Sequence, residues 1–182
     1  RVVQMDPNVC CPSTPTMLRG QGRPQQNDRG MIIPLERYGM KFMSMGLIAG
    51  KDTPVIWRGP MATKLIQQFL GQVEWGELDY LMIGLPPGTG DVQLTLTQSA
   101  PLTGAVPLPT PQDVAIGITL RGLRMFEQVQ VPILGIVENM SFFSCPHCHE
   151  RTDVFRHGGG KKAGEEVGDP VLGEVAVDPV LA

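Results

Sequence analysis

Two cysteines, Cys145 and Cys148, stand at a spacing that metal sites use. Thiolates two residues apart can bind one metal centre, as in zinc and iron–sulfur sites. Two thiolates fill only half of a four-coordinate site, so the remaining ligands must come from elsewhere. The residues alone favour zinc, with His147 or His149 completing the site. A centre shared with a second copy of the chain, or an unliganded pair of thiols in a turn, are the alternatives.

A second candidate site is the loop at residues 86–91, which reads Pro-Pro-Gly-Thr-Gly-Asp. Glycines let the backbone approach a phosphate closely, and the N-terminus of the following helix favours an anion. We therefore expect a cofactor phosphate against this loop, and we expect Asp91 to cap the helix. The alternative is an ordinary proline–glycine turn. The candidate cofactor-binding residues are Pro86, Gly88, Thr89, Gly90 and Asp91.

A third candidate is Asn139, which follows a predicted strand at the edge of the sheet where ligands bind. Its side-chain amide offers both a hydrogen-bond donor and an acceptor, which suits the edge of a purine base. A turn asparagine that bonds its own backbone has the same sequence signature. Both interpretations stay open at the level of the residues.

Alternating helices and strands would position these candidates. Residues 78–85 form a nearly unbroken apolar run, which is typical of a strand buried on both faces of a parallel sheet. The alternation predicts an open, mainly parallel α/β sheet with helices on both faces and right-handed crossovers. The loops after Leu85, Leu108 and Val137 would then meet at one ligand-binding edge.

The predicted elements follow from apolar spacing and from Gly and Pro punctuation. Helices are predicted at 60–70, 91–98, 111–129 and 160–167, and strands at 78–85, 104–108, 131–137 and 171–177. Residues 31–34, 38–48 and 54–57 are predicted to be extended, and 20–29 to form a surface loop. The chain begins and ends beside strands, so we interpret 1–182 as a single, partial domain with a Cys-x-x-Cys insertion at about 141–157.

The composition excludes several classes of function. A formal net charge of −3 over 182 residues predicts neither a nucleic-acid partner nor an acidic membrane surface. No apolar run is long enough for a membrane span. Four cysteines are too few for a disulfide scaffold, so a reducing compartment is expected. Cys10 and Cys11 are adjacent, so their side chains diverge, and we interpret them as loop residues rather than as ligands.

The wider sequence resembles the Mrp-type (Mrp/ApbC) iron–sulfur cluster carriers, which are ParA/MinD-like deviant-Walker P-loop ATPases. The strongest match is residues 78–94, which resemble the family's Walker B segment almost residue for residue. Matching blocks occur in the family's order over nearly the whole chain, at 43–46, 57–61, 110–115, 135–141, 145–148 and 157–160.

This resemblance implies a P-loop NTPase fold and a homodimer that binds ATP and Mg²⁺. It also implies a 4Fe–4S cluster bridging two protomers through Cys145 and Cys148 and passing to apo-proteins, with His147 on the surface. Asp6 would be catalytic, and Asn139 would recognise adenine. The expected compartment is the cytoplasm, or the mitochondrial matrix for an organellar relative. The alternative is a non-enzymatic Zn or Fe–S dimerisation module.

The chain departs from the family pattern around the nucleotide. The family's glycine-rich GKGGVGKST loop is absent from residues 1–182. Gly84 stands where the family has the Walker B aspartate, so it offers Mg²⁺ no carboxylate. Asn8 and Ile118 also replace family aspartates, and Pro107 and Pro109 fall in a predicted strand, where each removes a backbone donor. A catalytically inactive relative, a decayed copy and a sequence error are the three explanations, and residues 1–182 alone are expected to show no ATPase activity.

Overall fold

The computed structural model describes residues 1–8, 12–20, 22–49 and 59–178. The chain divides into two compact units. Unit 1 comprises Arg1–Pro86 and Gly90–Ala100, and unit 2 comprises Pro87–Thr89 and Pro101–Ala182. Among the described residues, no helix has both the length and the apolar character needed to cross a membrane.

Unit 1 contains a four-stranded sheet in the order β2-β3-β1-β4. Strand β1 pairs in parallel with β3 and β4, and β2 pairs antiparallel with β3. Tyr38 and Gly39 link β2 to β3, and both have positive φ, as a two-residue hairpin turn that matches the strand twist requires. The strands are β1 Val2–Asp6, β2 Leu35–Arg37, β3 Met40–Ser44 and β4 Tyr80–Ile83.

Among the described residues, four helices accompany this sheet, and the core of unit 1 is mainly apolar, with Asp6, Ser44 and Gln93 as buried polar residues. The indole N–H of Trp75 donates to the carbonyl of Phe69 at 2.8 Å, so the one polar atom of this buried ring is satisfied. The helices are α1 Thr14–Met17, α2 Met45–Ala49, α3 Gly59–Gly71 and α4 Asp91–Ser99. The largest fully buried apolar side chains of the unit are Met5, Phe42, Met43, Met45, Ile66, Phe69 and Leu96.

Unit 2 contains a three-stranded sheet in the order β6-β5-β7. Its central strand pairs in parallel with β7 and antiparallel with β6. The elements are α5 Asp113–Gln128, β5 Ile136–Ser144, β6 Arg151–Thr152, α6 Gly159–Val167 and β7 Val171–Val177. The core cluster is formed by Ile116, Leu123, Ile136 and Ala163, with Leu120, Ile133 and Val167 packed against it.

The structure confirms the α/β class and the helices with the clearest apolar spacing. The predicted helices correspond to α3, α4, α5 and α6, and the last predicted strand is β7 with the same bounds. Helix α6 ends where Gly168 adopts φ of 80° and donates its N–H to the carbonyl of Gly164. A glycine in the left-handed region is the usual way to end a helix, which is why this boundary could be predicted.

Two predicted strands are wrong in position or environment, and one predicted extended segment is untested. Only the end of the 131–137 segment enters β5, which instead continues to Ser144. Strand β4 is not buried on both faces, since Tyr80 and Met82 are 66% and 58% exposed. Its burial alternates, so the face that carries these two side chains is open, and among the described strands β4 pairs only with β1, which leaves one of its edges unpaired. Residues 54–57, predicted to be extended, lie outside the described residues.

The extended prediction for 38–48 holds only as far as Ser44, where the chain turns into α2. The Ser44 hydroxyl accepts the N–H of Gly46 at 3.2 Å, a side-chain contact that satisfies a donor at the start of a helix. The apolar run continues through this boundary, so apolar spacing could not reveal it.

Pro107 and Pro109 account for the weak strand at 104–108. Ala105 forms an isolated parallel bridge with Ile133, and no regular strand follows it. The carbonyls of Pro107 and Pro109 accept the N–H groups of Val137 and Asn139 at 3.0 and 2.8 Å. The two prolines therefore accept hydrogen bonds through their carbonyl groups, but they have no backbone N–H to donate to a neighbouring strand. This segment follows β5 without forming a regular strand.

Candidate metal centre

Cys145 and Cys148 lie in the loop that joins β5 to β6. The two strands pair antiparallel, with Ser144 opposite Arg151. The N–H of Cys145 donates to the carbonyl of Glu150 at 3.0 Å, and the N–H of His149 donates to the carbonyl of Cys145 at 2.8 Å. Both thiols therefore belong to one short loop whose two ends are hydrogen-bonded to each other.

The sulfur of Cys145 is surrounded by hydrogen-bond donors. The backbone N–H of Cys148 is the largest cause of a lowered pKa for the Cys145 thiol, followed by the N–H of His147 and then the Cys148 thiol. Partial desolvation acts in the opposite direction and is the smallest cause. Both thiols are free, Cys145 partly exposed and Cys148 exposed. Because metals bind thiolates, Cys145 and Cys148 are the residues of this loop that could hold a metal.

A buried carboxylate connects the same strand to α6. Glu138 is 1% exposed and accepts the hydroxyl of Ser141 at 2.5 Å and the N–H of Gly160. A Cβ added to Gly160 would lie 3.0 Å from the Cβ of Glu138, and one added to Gly159 would lie 2.7 Å from the carbonyl oxygen of Pro111. Close packing thus explains Gly159 and Gly160, whereas Gly158 has nothing within 4 Å and has φ of 79°, which favours glycine. Sequence reasoning missed Glu138, although a lone carboxylate within an apolar strand was the available signal.

Asn139 lies next to Glu138 on β5, and its side chain is engaged locally. Its Oδ1 accepts the N–H of Met140 at 3.0 Å. Met140 itself has φ of 55°, so the strand is irregular at this point. The amide oxygen thus makes the local backbone contact that was the alternative to purine recognition.

The 86–91 loop differs from expectation in its helix cap. Gly90 is the N-cap of α4 and makes no side-chain cap bond, so the prediction that Asp91 caps this helix is wrong. Asp91 is the first residue of the helix, where an exposed carboxylate complements the helix dipole. Gly88 has φ of 98°, and Gln93 Nε2 donates to the carbonyl of Pro86 at 2.8 Å. Thr89 is exposed.

Asp6 is buried at the end of β1, and its carboxylate is fully engaged. Its Oδ1 accepts the N–H of Asn8 at 3.1 Å, and its Oδ2 accepts the N–H of Thr14 at 3.2 Å and the hydroxyl of Ser44 at 3.0 Å. These contacts join the ends of two strands to the start of α1. Gly84 donates its N–H to the carbonyl of Met5, and a Cβ added there would meet nothing within 4 Å.

The predicted site residues are divided between the two units. Asn139 and the two cysteines share β5 and the loop that follows it in unit 2. Asp6, Gly90 and Asp91 belong to unit 1. Cys10 and Cys11 lie outside the described residues.

Comparison with curated proteins identifies several close relatives. The "Iron-sulfur cluster transfer protein NUBPL" of Dictyostelium discoideum is 49% identical over 175 residues, which are 95% of this chain and 54% of that protein. The "Iron-sulfur cluster carrier protein" of Synechocystis is 49% identical over 179 residues, covering 96% and 51%. The mitochondrial "Iron-sulfur protein required for NADH dehydrogenase" of Arabidopsis thaliana is 45% identical over 174 residues, covering 96% and 56%. The chain spans about half the length of these relatives.

Solved structures show the same fold. A nucleotide-binding protein from Archaeoglobus fulgidus, in complex with ADP and with cobalt found in it, matches with a TM-score of 0.83 and 35% identity, over 100% of this chain and 71% of that one. The septum site-determining protein MinD of Pyrococcus horikoshii matches with a TM-score of 0.61 and 14% identity, over 98% and 70%. The second likeness concerns the fold alone.

The fold therefore defines a P-loop NTPase of the ParA/MinD type. Within that class, the chain belongs to the family described as "ParA: NUBPL iron-transfer P-loop NTPase", whose family model matches residues 1–182.

Proposed function

We propose that this chain is part of an iron–sulfur cluster carrier, in which Cys145 and Cys148 hold a cluster that passes to apo-proteins. The observation that carries the proposal is the closed β5–β6 loop, with two accessible thiols and donors that favour the Cys145 thiolate. The names of the relatives, which are cluster transfer and carrier proteins, support the same function.

The cluster is a 4Fe–4S cluster shared by a homodimer. One loop supplies two thiolates, whereas such a cluster takes four. A two-fold axis through the cluster would bring the same pair from a second copy, and two-fold symmetry is the commonest assembly of identical chains. His147 and His149 are exposed in the same loop and are not required as ligands in this arrangement.

Nucleotide binding belongs to the longer protein. The relative from Archaeoglobus fulgidus is an ADP complex, which supports nucleotide binding in general. The candidate nucleotide contacts are the sequence-based ones, namely Pro86, Gly88, Thr89, Gly90 and Asp91, with Asn139 as the candidate for the base. The described residues do not fit a Mg²⁺ site of the family kind. Gly84 has no carboxylate, and both carboxylate oxygens of the candidate catalytic residue Asp6 already accept hydrogen bonds.

The place of action is a reducing compartment, either the bacterial cytoplasm or the mitochondrial matrix. Free thiols in a metal-binding loop need such surroundings. Relatives include a protein described as mitochondrial and bacterial carrier proteins. The clients are apo-proteins that require an iron–sulfur cluster.

A second candidate function is a non-enzymatic metal-binding dimerisation module. The observation that favours it is the replacement of family carboxylates by Gly84 and Asn8, together with the engaged carboxylate of Asp6. This module would keep Cys145 and Cys148 and bind zinc or a cluster without nucleotide chemistry.

Anaerobic reconstitution with iron and sulfide, with a parallel sample given zinc, tests the cluster assignment on which the first function depends. Visible absorbance from thiolate-to-iron bands and native mass are expected to report one cluster per dimer. Cys145→Ala should abolish uptake, whereas the double variant Cys10→Ser, Cys11→Ser, the matched control, should take up iron normally. A Cys145→Ala chain that still forms the same dimeric cluster would refute the assignment. Uptake of one zinc per chain, with no cluster, would favour the second candidate.

A further inference from the structure

Arg151 begins β6 immediately after the cysteine loop, and its side chain reaches both neighbouring strands. Its guanidinium carbon lies 3.9 Å from the ring centroid of Phe142 on β5, within the range of a cation–π contact. Its Nη2 donates to Oε2 of Glu174 on β7 at 3.0 Å. The residue that leaves the loop is therefore held to the strand that enters it and to the third strand of the sheet.

The same guanidinium also contacts the segment that follows β6. Its Nη2 lies 3.2 Å from Nδ1 of His157, and its Nε lies 3.5 Å from Oδ1 of Asp153. Arginine presents five donors in a rigid planar fork, so one side chain can serve several acceptors together. Arg151 therefore connects β5, β7 and the segment after β6, next to the end of the cysteine loop.

A metal ion is the competing explanation for the acidic residues near Arg151. Ligand atoms of Glu138, His157 and Glu174 lie within 4.8 Å of one another. Arg151, however, already contacts both His157 and Glu174. The two carboxylate oxygens of Glu138 accept the hydroxyl of Ser141 and the N–H of Gly160. The guanidinium of Arg151 supplies the positive charge next to these residues, so we assign no metal ion to Glu138, His157 and Glu174.

We propose that Arg151 is a positioning residue for the cluster. It holds the outgoing end of the cysteine loop against β5 and β7, and it thereby determines how slowly the loop loses a bound cluster. This inference rests on the proposed function. The side chain of Arg151 is 43% exposed, so no single ion pair contributes much. The effect arises because the ion pair, the ring contact and the β5–β6 pairing all act at the same end of one loop.

The test compares how fast variants of the full 182-residue chain lose a reconstituted cluster. After anaerobic loading with iron and sulfide, an iron chelator is added and visible absorbance is followed. Arg151→Ala is expected to lose iron roughly threefold to tenfold faster than the unmodified chain, the size of one weak ion pair plus one cation–π contact. Visible circular dichroism of the cluster should also change, because it reports the geometry of the ligands.

Arg124 provides a matched control in the same unit. It is also an exposed arginine in an ion pair, with Nη2 at 3.2 Å from Oε1 of Glu166, but it joins α5 to α6 instead of the cysteine loop. Arg124→Ala is expected to leave both the loss rate and the dichroism unchanged. Thermal unfolding of the two apo-proteins should occur at nearly the same temperature, which separates a loosened loop from a misfolded chain.

Two further variants identify the contact responsible. Arg151→Lys keeps the positive charge but lacks the planar guanidinium, so its rate of iron loss should lie between the rates of the unmodified chain and of Arg151→Ala. The double variant Arg151→Ala, Glu174→Gln should lose iron no faster than Arg151→Ala alone, because both changes remove the same pair. Equal loss rates and equal dichroism for Arg151→Ala and Arg124→Ala would overturn this inference alone. An unmodified chain that takes up no cluster would overturn the proposed function and the inference with it.

Discussion

At the residue scale, the sulfur of Cys145 lies close to several hydrogen-bond donors. Two backbone N–H groups and a neighbouring thiol point at Cys145 and favour its thiolate. The largest of these contributions comes from the backbone of Cys148 and does not need that residue's side chain. The fold of the loop, more than the identity of its neighbours, thus prepares Cys145 as a ligand.

Cys145 is expected to react with iodoacetamide at lower pH than an ordinary thiol. Its pKa is lowered, so a larger fraction is thiolate near neutral pH, and thiolate is the reactive form. The measurement is the alkylation rate of the Cys145 peptide by mass spectrometry across a pH series. Cys148→Ala should keep part of the shift, because the backbone N–H at 148 remains. A midpoint at or above that of N-acetylcysteine would contradict this expectation.

Asp6 is expected to be needed for stability, whatever its part in catalysis. Asp6→Ala leaves two backbone N–H groups and the Ser44 hydroxyl without their acceptor, so the free energy of unfolding should fall by about 2–4 kcal/mol. Asp91→Ala, at an exposed position in the first turn of α4, should cost only about 0.3–1 kcal/mol. Urea unfolding followed by circular dichroism measures both. Equal costs for the two variants would show that the buried hydrogen bonds of Asp6 contribute nothing.

At the element scale, β5 and α6 approach closely enough that only glycine fits between them. Strand β5 carries Glu138 and leads into the cysteine loop, and α6 presents Gly160 to that carboxylate. The cysteine loop is therefore supported from one side by a buried hydrogen bond and from the other by the contacts of Arg151.

Gly160→Ala is expected to destabilise unit 2 by about 1–3 kcal/mol, because its Cβ would lie 3.0 Å from Cβ and 3.1 Å from Oε2 of Glu138. Gly117→Ala is the matched control, since that helical position has nothing within 4 Å. The control should stabilise the chain by about 0.5–1 kcal/mol, because alanine is the better helix former. Thermal denaturation compares the two, and a Gly160→Ala chain as stable as the control would show that α6 can shift away.

At the scale of the whole molecule, the chain divides into two compact units, and a single family model covers both of them. Candidate nucleotide residues occur in both units, and the candidate metal ligands occur in unit 2 alone. The two proposed cluster ligands of one chain therefore come from a single unit.

The 182-residue chain is expected to hydrolyse ATP no faster than a no-protein control. It contains no glycine-rich lysine loop for the phosphates, and Gly84 cannot hold Mg²⁺ through a carboxylate. Release of inorganic phosphate measures the rate. Turnover above the control that disappears in an Asp6→Asn, Asp91→Asn double variant would show that the chain is an ATPase without that loop.

The elements that could be predicted are those whose signals are local. Apolar spacing anticipated α3, and apolar spacing together with Gly and Pro punctuation anticipated α4, α5, α6 and β7. The boundaries that failed lie within continuous apolar segments, at Ser44 and before Ile136, where the spacing does not change. There a side-chain hydrogen bond and the partner strands decide where one element ends.

The sequence by itself determined the family, the α/β class and the cysteine pair, because motifs and spacing are properties of neighbouring residues. Tertiary structure alone decided the hydrogen bonds that join distant parts of each unit. Glu138 meets Gly160 across 22 residues, Arg151 meets Glu174 across 23, and Asp6 meets Ser44 across 38. Contacts between such distant residues depend on how strands and helices pack, which no local pattern records.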